Sequence, residues 1–309
     1  MAILYCSTWS PAEPLLAAFK AADPTLDLRV WPDSGPVEEI EYVLAWLHPT
    51  GELKRFPRLK AIFSLGAGVD KLLRDPDLPH GVPIIRLTDR ALTAGMTEYV
   101  LLHVLRYHRR VPELEQLQRR AEWVELESPP AWVRRVGILG LGVLGSDAAQ
   151  KLVALGFDVA GWSNRPKQIA GVTSFTGEDG LAQLLARSEI LVCLLPLTQA
   201  TSGILNARNL AGLPRGAAVI NAARGGHVVE PDLLAALDSG QIGHATLDVF
   251  SEEPLPSSHP FWRHPKVTLT PHVASLTWAP TATEHIIANI RRHEAGQPMS
   301  PLVDPAKEY

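Results

Sequence analysis

The sequence predicts a two-domain α/β protein, and three observations carry that expectation. At 309 residues the chain is long enough to bury two cores. Brief apolar runs alternate with helix-length segments from Ala2 to about Leu269, the pattern of largely parallel sheets covered by helices. A glycine-rich run, GILGLGVLG over Gly137–Gly145, sits near the middle of the chain, so a small domain has room to precede it.

Ala2 to Cys6 reads as a strand, and Ser10-Pro11-Ala12-Glu13 as a helix start with proline at its first position. Leu26–Val30, Tyr42–Trp46, Ala61–Ser64 and Val82–Ile85 are further short strands of this first sheet. From Met96 to about Arg110, MTEYVLLHVLRYHRR is apolar along one broad stripe and basic at its C-terminal end, which suits a long helix. Glu122–Trp132 carries no clear pattern, and Pro129-Pro130 stops any helix there and launches the chain toward a strand at Val133–Leu139. Beyond Gly145 the alternation is regular, with helices expected at Asp147–Leu155, Asp179–Ala186, Asn206–Leu213 and Glu230–Leu237. Strands are expected at Asp158–Trp162, Glu189–Leu195, Ala217–Ala222, His244–Val249 and Val267–Leu269. With the strand ahead of the glycines this makes six, the profile of a doubly wound sheet. Ile286, Ile287 and Ile290 mark a last helix, too short for a domain and expected to pack back on one of the two. The tail PLVDPAKEY, polar and proline-punctuated, is expected along a surface or a subunit boundary.

Composition excludes several classes of partner. Apolar residues make up 46% and charged residues 20%, as in ordinary globular proteins. A net charge of -4 offers no global positive field for nucleic acid, so a small anionic ligand needs local cations. The two cysteines, Cys6 and Cys193, lie in apolar strand-like runs and read as buried free thiols, with no disulfide framework and no metal cluster. No basic region precedes the first apolar stretch and no apolar run reaches membrane-spanning length, so no membrane partner is expected and the cytoplasm is the default location.

The spacing Gly140-x-Gly142-x-x-Gly145, after a strand and before a helix, matches a dinucleotide-binding turn. In such a turn Gly140 permits the tight bend, Gly142 lets backbone approach a pyrophosphate, and Gly145 lets the helix pack on the strand. Val143 and Leu144 open that helix, whose first amides point toward negative charge. At the end of the next strand an NAD site needs an acid for the ribose hydroxyls, whereas a 2'-phosphate needs cations. Here the chain supplies Ser163, Asn164, Arg165 and Lys167 and no carboxylate, Asp158 coming too early. NADP(H) is the expected cofactor and NAD(H) the alternative.

Three later stretches narrow the chemistry: INAARGGHVVE (Ile220–Glu230), LDVFSEEPLP (Leu247–Pro256) and LTPHVASLT (Leu269–Thr277). In this order, after a mid-chain glycine turn, they resemble the D-isomer-specific 2-hydroxyacid dehydrogenase family. SLGAGVD (Ser64–Asp70) resembles that family's substrate-carboxylate loop, so the resemblance covers nearly the whole chain. The tract MTEYVLLHVLRYHRR and the tail are similar to its glyoxylate and hydroxypyruvate reductase branch. The resemblance implies a Rossmann-type dinucleotide-binding domain over residues 98–283 and a smaller flavodoxin-like α/β substrate-binding domain over 1–97 and 284–309, with a cleft that closes before hydride transfer. It implies Arg224, Glu253 and His272 as the catalytic set, with Glu253 favoured over Glu252 by its place five residues after Asp248 and directly before Pro254. Asp248 would help place the nicotinamide carboxamide. Leu195, Pro196, Leu197, Thr198, Ala222 and Ala223 would lie beside the cofactor, and the main-chain amides of Ala67 and Gly68 would receive the substrate carboxylate. A homodimer is implied as well.

Residue chemistry agrees with that set. Reducing a 2-keto acid to a 2-hydroxy acid needs a proton donor beside the carbonyl oxygen and a fixed cation for the carboxylate and developing oxyanion. An imidazole such as His272 changes charge near neutral pH, and pairing with ionised Glu253 favours its charged form. Arg224 presents a rigid fork for two oxygens. His48, His227 and His259 have no comparable context. Trp46 ends a first-domain strand, where its bulk could close over a two- or three-carbon keto acid or serve the core, and Trp278 is expected at the substrate end or a dimer contact. Two other readings fit the same residues. One is a dehydrogenase for larger acids, against which no appended regulatory domain is seen. The other is a nucleotide-sensing binding protein resembling the C-terminal-binding corepressors, against which the chain lacks long disordered extensions.

Overall fold

The computed structural model describes residues 1–8 and 11–307. Its contacts divide the chain into two compact units, Met1–Leu92 with Leu276–Tyr309, and Thr93–Ser275.

The first unit begins with β1 (Ala2–Ser7), α1 (Glu13–Ala22), β2 (Asp27–Val30), β3 (Ile40–Trp46), β4 (Ala61–Ser64), α2 (Asp70–Leu73) and β5 (Ile84–Ile85). Of the expected helix start, Ser10 lies outside the described residues, and α1 carries Pro14 in its first turn. The five strands form one parallel sheet in the order β2-β1-β3-β4-β5, the flavodoxin-like order. Ile3, Tyr5, Tyr42 and Leu44 pack on one side with Leu15 and Phe19 of α1, while Leu4, Cys6, Val43 and Ala45 pack on the other with Leu53 and Phe56. Burial on both faces is why these strands read as continuous apolar runs rather than alternating ones.

α3 (Arg90–His108) starts six residues before the expected Met96, because Asp89 Oδ1 accepts the amides of Ala91 and Leu92 and so caps the helix earlier. At Arg110 the backbone turns left-handed, φ 57°, and α4 (Val111–Arg119) follows with Pro112 in its first turn. Nothing in the sequence assigned this helix.

The second unit continues with β6 (Arg135–Leu139), α5 (Val143–Ala154), β7 (Asp158–Trp162), β8 (Val172–Phe175), α6 (Gly177–Arg187), β9 (Ile190–Cys193), α7 (Ala207–Ala211), β10 (Ala217–Asn221), α8 (Glu230–Asp238), β11 (Ile242–Leu247) and β12 (Val267–Leu269). The sheet is parallel throughout, in the order β12-β11-β10-β9-β6-β7-β8. It therefore has seven strands where six were expected. The additional one, β8, is a four-residue edge strand with no fully buried residue, so it lacks the apolar signature that reveals the central strands. Counted from β6, the sequence order is that of a doubly wound nucleotide-binding sheet, whose direction of winding reverses between β6 and β9. Ligands in such sheets sit at the C-terminal ends of the strands flanking that reversal.

α3 presents Tyr99, His103 and Tyr107, four residues apart on one face, to threonines of the sheet's far edge. The Tyr99 hydroxyl is 2.7 Å from Thr270 Oγ1, Tyr107 is 2.5 Å from Thr246 Oγ1, and Thr246 Oγ1 is 3.3 Å from His103 Nδ1. Burial and the neighbouring Arg106 hold the His103 imidazole down at about 4. Its folded form is neutral where the unfolded imidazole, near 6.5, already binds a proton, so stability is full above about pH 6.5 and falls as pH drops toward 4. The loss expected from this one group is on the order of 3 kcal/mol, and burial depresses His108 and His244 in the same direction. Urea midpoints measured from pH 7 to 4.5 should fall over this window, less steeply in His103→Gln. A midpoint independent of pH across it would show that the imidazoles are not held neutral.

The chain returns to the first unit in α9 (Ala279–Glu294), which packs on α1 through Ile286, Ile287 and Ile290. The domain boundaries expected after residues 97 and 283 fall inside α3 and α9, helices that run on without a break. The tail is tied to a strand edge: Val303 N–H donates to Ile84 O at 2.9 Å and Arg86 N–H to Pro301 O at 3.1 Å, with Met299 and Val303 buried. Cys6 and Cys193 are buried free thiols that burial pushes up to about 12. Among the described residues, no helix is long and apolar enough to cross a membrane.

Candidate active site

In the second unit the glycine turn joins β6 to α5. Gly140 has φ 103°, and a Cβ there would lie 2.7 Å from Leu194 O at the end of β9. A Cβ on Gly145 would lie 1.8 Å from Gly140 O, so the helix can approach the turn only without one. At Gly142 a Cβ would meet nothing within 4 Å. Internal packing therefore does not require a glycine at 142, whereas close approach of a ligand does. With the first amides of α5, begun by Val143 and Leu144, the turn fits a pyrophosphate.

The loop after β7 is built from its own polar groups. Ser163 Oγ donates to Arg165 O at 2.8 Å, and the Lys167 amide donates to Ser174 Oγ at 3.0 Å. Asn164, Arg165 and Lys167 are left exposed. No carboxylate follows the strand before residue 178.

Three more strand-end loops meet beside the turn. The first, after β9, carries Leu195, Pro196, Leu197 and Thr198, and Thr201 holds it by donating to Pro196 O at 2.7 Å and accepting the Thr198 amide at 2.9 Å. The second, after β10, carries buried Ala222 and Ala223 and then Arg224-Gly225-Gly226-His227. Arg224 Nη1 donates to Ala223 O at 2.7 Å, which orients the guanidinium fork. A Cβ on Gly225 would stand 1.8 Å from the carbonyl carbon of Phe250, so this loop lies directly on the third, which follows β11. There the Phe250 amide donates to Glu253 Oε1 at 3.0 Å. Glu253 Oε2 is 2.9 Å from Nδ1 of His272, and the two side chains are 17% and 33% exposed. The carboxylate takes one imidazole nitrogen, leaving Nε2 as the nitrogen that can face a reacting oxygen.

His272 itself has φ 56°, a left-handed backbone rare for a residue with a Cβ. Such a conformation costs about 1–3 kcal/mol and persists only where the surroundings over-determine it. They do so here through Asp248, which is 1% exposed. The Asp248 carboxylate accepts from Thr270 Oγ1 at 2.6 Å, Val273 N at 2.8 Å and Ala274 N at 2.9 Å, and its carbonyl accepts the His272 amide at 2.8 Å. Asp248 thus anchors the histidine loop.

In the first unit, Trp46 ends β3 and its indole lies on the loop after β4, where a Cβ on Gly66 would stand 2.6 Å from the ring. Ser64 Oγ donates to the carbonyls of Gly66 and Gly68 and shapes that loop. Ala67 and Gly68 are half-buried, and neither amide has an acceptor among the described residues. Trp46 and Gly68 line a small recess. Trp278 is exposed at the N-terminal end of α9.

Sequence reasoning missed two residues. Asn221 and His227 are fully buried and hold the Arg224 loop: Asn221 Nδ2 donates to Arg224 O at 2.9 Å, and the Arg224 amide donates to His227 Nδ1 at 3.2 Å. The only available signal was that both flank the arginine.

The family profile of the D-isomer specific 2-hydroxyacid dehydrogenase, NAD binding domain, matches residues 101–274. This chain belongs to the D-isomer specific 2-hydroxyacid dehydrogenases. It is 46% identical over 309 residues to glyoxylate/hydroxypyruvate reductase A of Serratia proteamaculans, covering 98% of both chains. A D-isomer specific 2-hydroxyacid dehydrogenase from Xanthobacter autotrophicus Py2, solved with NADPH and MES, is 46% identical with a TM-score of 0.96, covering 100% of this chain and 99% of that one. The NADPH-dependent glyoxylate/hydroxypyruvate reductase of Sinorhizobium meliloti, solved with NADP and sulfate, is 40% identical with a TM-score of 0.94, covering 100% of both chains. For this dehydrogenase the family accounts for the parallel sheets and for the loops gathered at their C-terminal ends.

Proposed function

We propose that this dehydrogenase reduces small 2-keto acids, glyoxylate and hydroxypyruvate foremost, to 2-hydroxy acids with NADPH as the preferred donor. The observation that carries the reading is the His272–Glu253 pair, 2.9 Å apart, on a loop in direct contact with that of Arg224. Near relatives bear the names of reductases of those two acids, and similar structures hold NADPH or NADP.

When bound, the nicotinamide supplies a hydride to the carbonyl carbon. The chain's own residues do the rest. Gly140, Gly142 and the first amides of α5 would hold the pyrophosphate, with Pro196, Thr198 and Asp248 toward the nicotinamide end. Arg224, its fork oriented by Ala223 O, binds the keto-acid oxygens and offsets charge developing on the carbonyl oxygen. His272 donates the proton from Nε2 to that oxygen and regains one from water, while Glu253 holds Nδ1 and fixes the direction of the ring. The amides of Ala67 and Gly68 receive the substrate carboxylate.

Cofactor choice rests on the loop after β7: exposed Asn164, Arg165 and Lys167 suit a 2'-phosphate, and no acid stands in for it. Chain length selectivity rests on Trp46, whose indole covers the Gly66 loop. Both are tested by one panel, oxidation of NADPH and of NADH with glyoxylate, hydroxypyruvate, pyruvate and longer keto acids. The expected result is turnover of the two- and three-carbon acids, faster with NADPH, and relative gain on longer acids in Trp46→Ala. Absence of turnover on every acid would overturn the reading; preference for NADH would overturn the cofactor assignment; an unchanged ranking in Trp46→Ala would remove Trp46.

The working form is assigned as a homodimer in the cytoplasm. Two buried thiols fit a reducing compartment. The segment from α3 to β6 exposes Leu102, Leu114, Trp123 and Trp132, with Trp123 97% exposed, apolar surface that a second copy would cover. Sedimentation as a monomer at micromolar concentration would contradict the dimer.

A further inference from the structure

We infer that His227 is a positioning residue that couples the cofactor loop to the substrate-binding arginine. The inference rests on the role proposed for Arg224 and on the loop after β9 as part of the cofactor site.

His227 is fully buried, and its ring spans two of the three loops. Nδ1 accepts the Arg224 amide at 3.2 Å, and Nε2 lies 3.3 Å from Pro196 O. A carbonyl only accepts and an amide only donates, so one neutral tautomer satisfies both contacts: the proton sits on Nε2 and the lone pair on Nδ1. The opposite tautomer could give the Nδ1 proton to Arg224 O, 3.0 Å away, but would aim two lone pairs at each other at Nε2. Arg224 O needs nothing from the ring, because Asn221 Nδ2 and the His227 amide already donate to it at 2.9 and 3.2 Å. Pro196 O is a junction, receiving the Thr201 hydroxyl as well as the ring. Gly226 reinforces the link: a Cβ there would stand 3.0 Å from Leu197, the next residue of the cofactor loop. The guanidinium that receives the keto acid is therefore built on a backbone whose height over the cofactor loop is set by one imidazole.

Two isosteric substitutions separate the ring's two contacts. Asparagine places an acceptor oxygen where Nδ1 stands and keeps the Arg224 contact; glutamine places a donor nitrogen where Nε2 stands and keeps the Pro196 contact. His227→Asn is expected to weaken NADPH binding, read by fluorescence titration, about five- to tenfold while leaving the keto-acid KM within about twofold. His227→Gln is expected to raise the keto-acid KM or lower kcat by a similar factor with NADPH binding unchanged. Equal shifts of both constants in both variants, or lower melting temperatures with both constants at wild-type values, would reduce His227 to a packing residue. Because the titration needs no keto acid, a wild type that turns over none of the acids would sink the reductase reading while the Asn variant still tests the Pro196 contact. Should the variants not fold, the imidazole nitrogen NMR spectrum of the wild type decides: a proton on Nε2 is required for the Pro196 contact, and a neutral Nδ1–H tautomer would overturn the coupling.

Discussion

His272→Asn is expected to lower kcat for glyoxylate reduction by about 10³-fold, within the 10²–10⁴ range of a positioned acid, and to leave NADPH affinity near its wild-type value. Asparagine is the substitution to use because the position demands φ 56°, which it tolerates better than other residues with a side chain. The backbone and its bonds to Asp248 can then survive while the transferable proton is lost. Cofactor affinity is spared because the glycine turn and the loop after β7 lie on other strands, β6 and β7. Single-turnover rates at saturating NADPH, with cofactor binding measured separately, check the split. Reduction at full rate in this variant would place the proton donor elsewhere, and loss confined to cofactor binding would make His272 a cofactor residue.

Arg224→Gln is expected to cost on the order of 10³ in kcat/KM for small keto acids, the equivalent of about 4 kcal/mol for removing one partner of a hydrogen-bonded charge pair. Arg224→Lys should recover a minor part, since it restores the charge without the fork. The wild-type fork has a defined direction because Nη1 is bonded to Ala223 O, and neither replacement reproduces that anchor together with two remaining donors. A KM and kcat both within a few fold of wild type in the glutamine variant would show that another cation receives the acid. If lysine performed as well as arginine, charge alone and not bidentate geometry would be the requirement.

Much of this site was legible in the chain. The glycine spacing specifies a turn whose geometry is local, and Gly140 and Gly145 stand where a Cβ would collide with the backbone. Central strands such as β9 and β10 announce themselves because parallel strands buried on both faces must be apolar. The edge strand β8 does not, since one side of it faces no neighbour and its residues are only half-buried. α4 was missed for a related reason: its existence depends on a left-handed turn at Arg110, a residue that gives no sign of adopting one.

His227 shows the sharpest limit. A histidine among eleven has no distinguishing neighbourhood in one dimension, yet its ring joins an amide three residues back to a carbonyl thirty-one residues back. Nor does the sequence reveal that the Asp248 carboxylate accepts from Thr270, Val273 and Ala274, about twenty-five residues further along. By itself, then, the chain determined its alternation of strands and helices, its phosphate turn and the residue types of its chemistry, because each depends on spacing within one element. The tertiary structure alone decided how His272 is held at a strained angle, which imidazole ties Arg224 to the loop after β9, and where the tail pairs. Those arrangements come from hydrogen bonds between loops that only the sheet's strand order makes neighbours.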